Sequence, residues 1–478
     1  MKRVTWLGPV IVAVALGAAV HAGLQAAPGP ADPLGEKPGG ATTVYANGKN
    51  AFSFPAANLP DDERTRFVIG NSFFKRNWVE APASTTARDG LGPHFLARSC
   101  GGCHLFDGRG EPPPWRKGLS DEQPLALLIR LSVPGTDAHG GPKHEAVYGD
   151  QFNIAAIQNV KPEGEVVMRW KPLTGRFADG TRYTLQQPQY ELRNLAYGPL
   201  DPQTLMSARI APQLIGVGLL ESIAEKDIVA NAESQAALHG PIKGQPNRVW
   251  DAFAGREMLG RFGWKANVAT LAHQTAGAFH GDIGITSRHF PAETCTPTQK
   301  DCLAAPTGSN DSQPEIDDET LEQVVFYQAT LAPPARRNAR EPQVLQGQQL
   351  FAQAQCAACH RPSYTTSEGP FPRLTSKALQ GQTIWPYTDL LLHDMGDALA
   401  DGRPDFLANG RQWKTPPLWG LGLIKDVNGH TRLLHDGRAN GVLEAILWHG
   451  GEAEASKQVV LKMKKPERDA LVKFVESL

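Results

Sequence analysis

Apolar positions along the chain follow three patterns. The segment Phe67-x-x-Gly70-x-x-Phe73-Phe74 sets apolar or small residues at helical spacing, and Val344-x-x-Gly347-x-x-Leu350-Phe351 repeats it in the second half. Each predicts an amphipathic helix. Near the C-terminus, Leu471, Phe474, Val475 and Leu478 stand at i, i+3, i+4 and i+7 behind Pro466, a residue that a first helical turn accepts. This last helix is expected to pack across the helix preceding Cys356. Between about Tyr148 and Leu200 the period changes to two. Glu165-Val166-Val167-Met168-Arg169-Trp170 and Thr181-Arg182-Tyr183-Thr184-Leu185 alternate around an Ala178-Asp179-Gly180 turn, the pattern of a small β insertion. The third pattern is an apolar run from Val10 to Val20 behind Lys2 and Arg3, followed by small residues near Ala22 and Ala26. That is the build of a secretory signal peptide, too short to span a bilayer.

These signals predict a mainly α protein with a signal peptide at 1–26 and a flexible Pro/Gly/Ala-rich linker at 27–60. A domain at 61–335 with the β insertion (about 148–200) follows, then a compact domain at 336–478. The halves correspond further. Ala211-Pro212-x-Leu214-x-Gly216-x-Gly218-Leu219-Leu220 is echoed by Thr415-Pro416-x-Leu418-x-Gly420-x-Gly422-Leu423-Ile424, and the stretch Trp264–Leu271 loosely by His435–Leu443. A duplicated domain is the economical reading.

Composition adds bounds. A chain of 478 residues, 41% hydrophobic, holds two or three domains with real cores. A formal net charge of -1 offers no general attraction to nucleic acid or anionic lipid. The 48 glycines and 38 prolines predict much loop.

Cysteine placement carries the chemistry. Cys-x-x-Cys-His occurs twice, as Cys100-Gly101-Gly102-Cys103-His104 and Cys356-Ala357-Ala358-Cys359-His360. That spacing is the attachment signal of c-type haem: two thiols add across the vinyl groups and the adjacent imidazole binds iron. A zinc knuckle would need a second Cys or His pair close by, and neither motif has one. A redox dithiol would need a strand before it, whereas the residues before Cys356 look helical. The other two of the six cysteines, Cys295 and Cys302, suit a disulfide closing a small loop, with free thiols as the alternative.

The order of Cys-x-x-Cys-His, a Trp ten residues before a Gln, a second Cys-x-x-Cys-His, Thr-Pro-x-Leu and His-Asp-Gly-Arg resembles the bacterial dihaem cytochrome c peroxidase and MauG superfamily. Gly260–Lys265, Asp282–Thr286, Leu392–Gly396 and His449–Glu452 resemble its dihaem oxidoreductase branch often labelled thiol oxidoreductase. The resemblance implies two cytochrome c-like haem domains, with two covalently attached haems ligated by His104 and His360. It implies an electron relay at Trp264 and a glutamine at Gln274 on the open face of the first haem. The family's glutamate would fall near Gly284; the closest acid is Asp282. Proton transfer during peroxide cleavage calls for such a carboxyl; helix capping, or a hydrogen bond from Thr286, is its structural alternative. His449, fourteen residues after His435, lies where the superfamily places a variable distal ligand, with Met395 as competitor. His435 and His393 are read as structural, and the loop residues His139 and His144 as occasional visitors to the first iron. A calcium ion near Thr415 and Pro417 is a further implication.

Three functions follow as expectations. The first is a periplasmic dihaem oxidoreductase, in which the His360 haem feeds a peroxide- or oxygen-reactive His104 haem through Trp264. The second is a non-catalytic carrier, and the third a MauG- or oxygenase-like enzyme acting on a protein or organic substrate. Expected partners are a small redox donor protein or quinol-linked cytochrome, with no nucleic acid and no stable membrane insertion.

Overall fold

Helices form where the sequence loads one face. In the computed structural model, which describes residues 34–85, 88–112, 125–309 and 313–478, the Asp61–Lys75 helix buries Phe67, Gly70 and Phe74. Three acids in its first turn and Lys75 in its last complement the helix dipole. Gly70 permits close approach to the Asp318–Ala329 helix, since a Cβ there would lie 2.7 Å from the Tyr327 Cβ. Phe67 and Phe74 then close on the Tyr327 ring, at 4.8 and 5.2 Å between centroids. The Pro342–Gln353 helix meets the Lys465–Ser477 helix in the same manner. A Cβ on Gly347 would lie 2.6 Å from the Phe474 Cβ, and Phe351 packs on Phe474 at 5.2 Å. The last helix therefore packs as its spacing foretold, with proline in its first turn. Each pair packs beside a Cys-x-x-Cys-His segment, and Phe74 and Phe351 each stand 6.3 Å from the motif histidine.

The mainly α expectation does not hold: helix makes up 31% and strand 20%, in several small sheets. Strand also extends beyond 148–200. Leu127–Thr136 pairs antiparallel with Gln151–Phe152 and with Leu205–Ile210, while Glu165–Arg176 and Arg182–Arg193 form one long hairpin, in register from Glu165↔Arg193 to Arg176↔Arg182. Leu127-Leu128-Ile129 is a continuous apolar run, which periodicity alone cannot assign to strand or helix. The fold is therefore mixed rather than mainly α; the two halves are alike in their helix pairs and in the motifs beside them.

The hairpin has a structural span. Its base buries Val166 and Met168 in one core with Leu127, Ile129 and Phe152. Its far end puts Phe177 and Leu185 in another core with Val460, Leu471 and Phe474. At the turn, the Ala178 amide donates to the Leu461 carbonyl at 2.9 Å, and Arg468 donates to Asp179 at 2.8 Å.

The linker expectation is corrected from Leu34 onward. Ala51 and Phe52 are fully buried, the Trp385 amide donates to the Pro38 carbonyl, and the Ala56 amide to the Thr330 carbonyl. Burial of Phe52 outweighs a composition that otherwise favours mobility. The signal-peptide assignment (1–26) and the start of the linker lie outside the described residues. Among the described residues no helix is long and apolar enough to cross a membrane. Cys295 and Cys302 form the disulfide.

Candidate functional site

Both motif histidines are held alike. His104 Nδ1 lies 2.8 Å from the Pro212 carbonyl oxygen and His360 Nδ1 lies 3.0 Å from that of Tyr387. With Nδ1–H donated to a carbonyl, each ring keeps Nε2 for a metal. Burial pushes His360 down to about 4 and lowers His104 as well, so both are the neutral imidazoles that ligation requires. Burial also raises all four motif thiols, Cys100 and Cys356 to about 12. Thiols held protonated are poor agents of disulfide exchange, which argues against a dithiol site.

Around the second motif lies a mostly apolar cavity. Cys356, Cys359 and His360 form one wall, and His449, Met395 and Trp264 also line it. His449 points Nδ1 at the Ala445 carbonyl, 2.7 Å away, and burial keeps its imidazole neutral. Both ligand candidates, His449 and Met395, thus reach this cavity. The donor set fits a haem: two thiols, a fixed neutral imidazole and an apolar chamber. Cys359, Asp389 and His393 also bring ligand atoms within 4.8 Å of one another. His393 is spoken for, however, between Asp389 at 2.8 Å and Glu452 at 2.7 Å. Burial opposes its charge, but the carboxylates outweigh burial and hold it protonated, as the structural reading of His393 expected. His435 stacks on Trp413 at 3.7 Å.

The first motif has different surroundings. Asp107 is the acid whose field reaches His104, whereas the field of Asp282 reaches Cys100 and Cys103. Asp282 is thus close enough for its charge to act on the thiols. It sits in a short π-helical turn, Phe279–Ile283, ending at Gly284 with φ +75°. A left-handed glycine is needed there because the backbone abuts Gly92 and the His94 carbonyl. The Asp282 carbonyl accepts from the Leu96 amide at 2.9 Å, tying the turn to the segment entering Cys100. Burial raises its carboxyl pKa against the opposing pull of Arg130 and of a Gln151 hydrogen bond.

That glutamine was not anticipated. Gln151 Nε2 donates to Asp282 Oδ1 at 3.0 Å and to the Gly281 carbonyl at 2.7 Å, while its Oε1 is buried without a partner. Arg130 is its cross-strand partner, so both side chains rise from one face of the sheet, and Arg130 pairs with Asp150 at 2.6 Å. Gln274, on the half-buried side of the Leu271–Ala278 helix, makes no hydrogen bond to Asp282 among the described residues. The amide beside Asp282 is thus Gln151. Thr286 bonds to Glu315 rather than to Asp282. A lone arginine within the apolar run 127–131 was the available signal; its pairing with Gln151 was not readable without the sheet register.

Trp264 joins the two regions. Its indole N–H donates to the Ile210 carbonyl at 2.8 Å, and its ring packs both on the core that includes Cys356 and on the core that includes Cys103. Of the loop histidines, His139 is stacked on Trp250 at 4.1 Å, and His144 acts on Asp150.

A search of curated proteins and a search of solved structures gave no match. A family described as "Di-haem oxidoreductase, putative peroxidase" matches residues 34–149 and 158–478. With both motif histidines presented for ligation and nearly all of the chain beyond residue 33 matched, this protein belongs to the di-haem oxidoreductase family.

Proposed function

We propose that this chain is a periplasmic c-type dihaem oxidoreductase of peroxidase type, with unlike irons at its two motifs. Covalent haems at Cys100/Cys103 and Cys356/Cys359 would supply the redox chemistry, the first open to peroxide or oxygen and the second storing electrons. The observation that carries this reading is the asymmetry of side chains. An imidazole, His449, lines the cavity of the second motif, while the charge of a half-buried carboxyl, Asp282, acts on the thiols of the first.

Each residue has a role that follows from its contacts. His104 and His360, with Nδ1 turned to a carbonyl, would hold the haem irons through Nε2, and His449 would offer a second nitrogen at the His360 site. Asp282 holds a proton on its carboxyl and passes it between peroxide oxygens, since a raised carboxyl both accepts and returns a proton. Gln151 fixes Oδ1 and leaves Oδ2 to act. Arg130 limits how far the carboxyl rises and thereby keeps it exchangeable. Trp264, wedged between the two cores, is the relay. The disulfide supports an oxidising compartment, as does the N-terminal pattern of residues 1–26. A small redox protein is the donor. Calcium has no part in this reading; the Thr415 carbonyl already accepts from Thr388 at 2.6 Å.

The test is rapid mixing of the reduced two-haem protein with hydrogen peroxide. Oxidation of both haems, with turnover when a reduced donor is present, is expected. Haems that stay reduced, or that oxidise without turnover, would leave a simple carrier.

A further inference from the structure

Among the described residues, four lysine and arginine side chains and no carboxylate line the cavity of the second motif, Arg109, Arg261, Lys414 and Lys457, beside His393, whose charge Asp389 and Glu452 already meet. Two of them are provided for. Lys457 pairs with Glu454 at 2.6 Å. Arg261 donates to the Ile223 carbonyl at 2.8 Å, and the Glu221 charge supports it.

The other two are not. Lys414 is 9% exposed. Among the described residues its Nζ makes no hydrogen bond or ion pair, and only the more distant charge of Asp389 acts on it. Arg109 is 3% exposed. Among the described residues it donates through Nη2 to the Leu434 carbonyl and leaves Nε buried without a partner, and the one charge acting on it is that of Asp436. Isolated buried cations are costly unless an anion meets them. Burial lowers Lys414 to about 8 and Arg109 to about 9, the strain expected of cations lacking a counter-ion.

Both residues line the one cavity and both touch Trp264, Arg109 through its side chain and Lys414 through its backbone. The Arg109 guanidinium lies over the Trp264 ring at 5.2 Å, and the Lys414 amide donates to the Trp264 carbonyl at 2.9 Å. A partner that meets both is an apolar body bearing anionic groups, seated in this mostly apolar cavity. A haem joined to Cys356 and Cys359 through its vinyl edge has that composition, with two propionates on the opposite edge.

We propose that Lys414 and Arg109 form the cationic seat for the propionates of the haem in the His360 cavity, placing a fixed positive charge beside the electron-storing iron and Trp264. The seat rests on the two-haem reading above. A positive charge close to a haem favours its reduced form, so removal of Lys414 lowers that haem's reduction potential.

The experiment compares wild-type, Lys414→Met and Lys414→Arg holoproteins. Methionine keeps the apolar stem and removes only a buried charge, so folding is not at issue. Redox titration followed by absorption is expected to show the low-spin haem shifted to lower potential in Lys414→Met, with Lys414→Arg near wild type. In resonance Raman spectra the propionate bending band of that haem should shift in Lys414→Met and be restored in Lys414→Arg. A two-haem Lys414→Met protein with both potentials and the propionate band unchanged overturns the seat alone. A wild-type chain carrying one haem overturns the two-haem reading, and the seat with it.

Discussion

Replacing Asp282 by asparagine removes the proposed proton carrier and little else. The side chain keeps its shape, and Gln151 Nε2, now 3.0 Å from Asp282 Oδ1, can still donate to an amide oxygen. The stability change at acidic pH should therefore stay within about 1 kcal/mol, the net worth of one hydrogen bond. The rate effect is larger. A positioned general acid–base contributes about 10²–10⁴-fold, or roughly 3–5 kcal/mol of activation free energy. Stability carries an independent sign. Burial raises the folded-state carboxyl above its unfolded value, so the stability it contributes is complete below the unfolded value and is lost as pH rises through the folded one. Asp282→Asn should lack that loss and melt later than wild type on the higher-pH side. The assay is peroxide-driven oxidation of a reduced donor, with haem content and melting followed across pH. A variant with full haem content whose turnover stays within twofold of wild type would refute the proton-transfer role.

Further expectations follow from single contacts. Gly347→Ala should gain about 1 kcal/mol from helix propensity, but its Cβ would meet the Phe474 Cβ at 2.6 Å and the Ala470 backbone carbon at 2.7 Å. Overpacking costs about 1–3 kcal/mol, so thermal unfolding should move to lower temperature; a rise would show that the helix pair can part freely. Trp264→Phe loses the hydrogen bond to the Ile210 carbonyl, worth about 1 kcal/mol, and should slow electron redistribution between the haems in flash-photolysis experiments. Equal rates would remove the relay. Arg468→Ala strips the hairpin turn of its Asp179 contact and of the guanidinium over Phe177, and should expose residues 177–181 to faster amide exchange; unchanged protection would mean that other contacts suffice.

What could be read from the sequence was local. Cys100–His104 and Cys356–His360 announce their chemistry by spacing, and the Phe67/Gly70/Phe74 and Val344/Gly347/Phe351 patterns place the helices that deliver them. The Pro466 helix followed from one apolar face. Non-local pairing was not readable. The strand Leu127–Thr136 looks like any short apolar run until Leu205–Ile210 pairs with it, and only its register with Gln151–Phe152 sets Arg130 beside Gln151. The resemblance pointed to a glutamine, Gln274, and an acid, Asp282; in the fold the amide that meets Asp282 is that of Gln151. Composition misled at Phe52, where one buried aromatic ring fixes a Pro/Gly/Ala-rich segment to the core.

The unlikeness of the two irons is tested most directly by electron paramagnetic resonance of the ferric protein, before and after cyanide, with His449→Ala alongside. The expected spectrum has one high-spin and one low-spin signal; cyanide abolishes the high-spin signal, and His449→Ala converts the low-spin one. Two low-spin signals untouched by cyanide, or a low-spin signal that survives His449→Ala, would contradict the account.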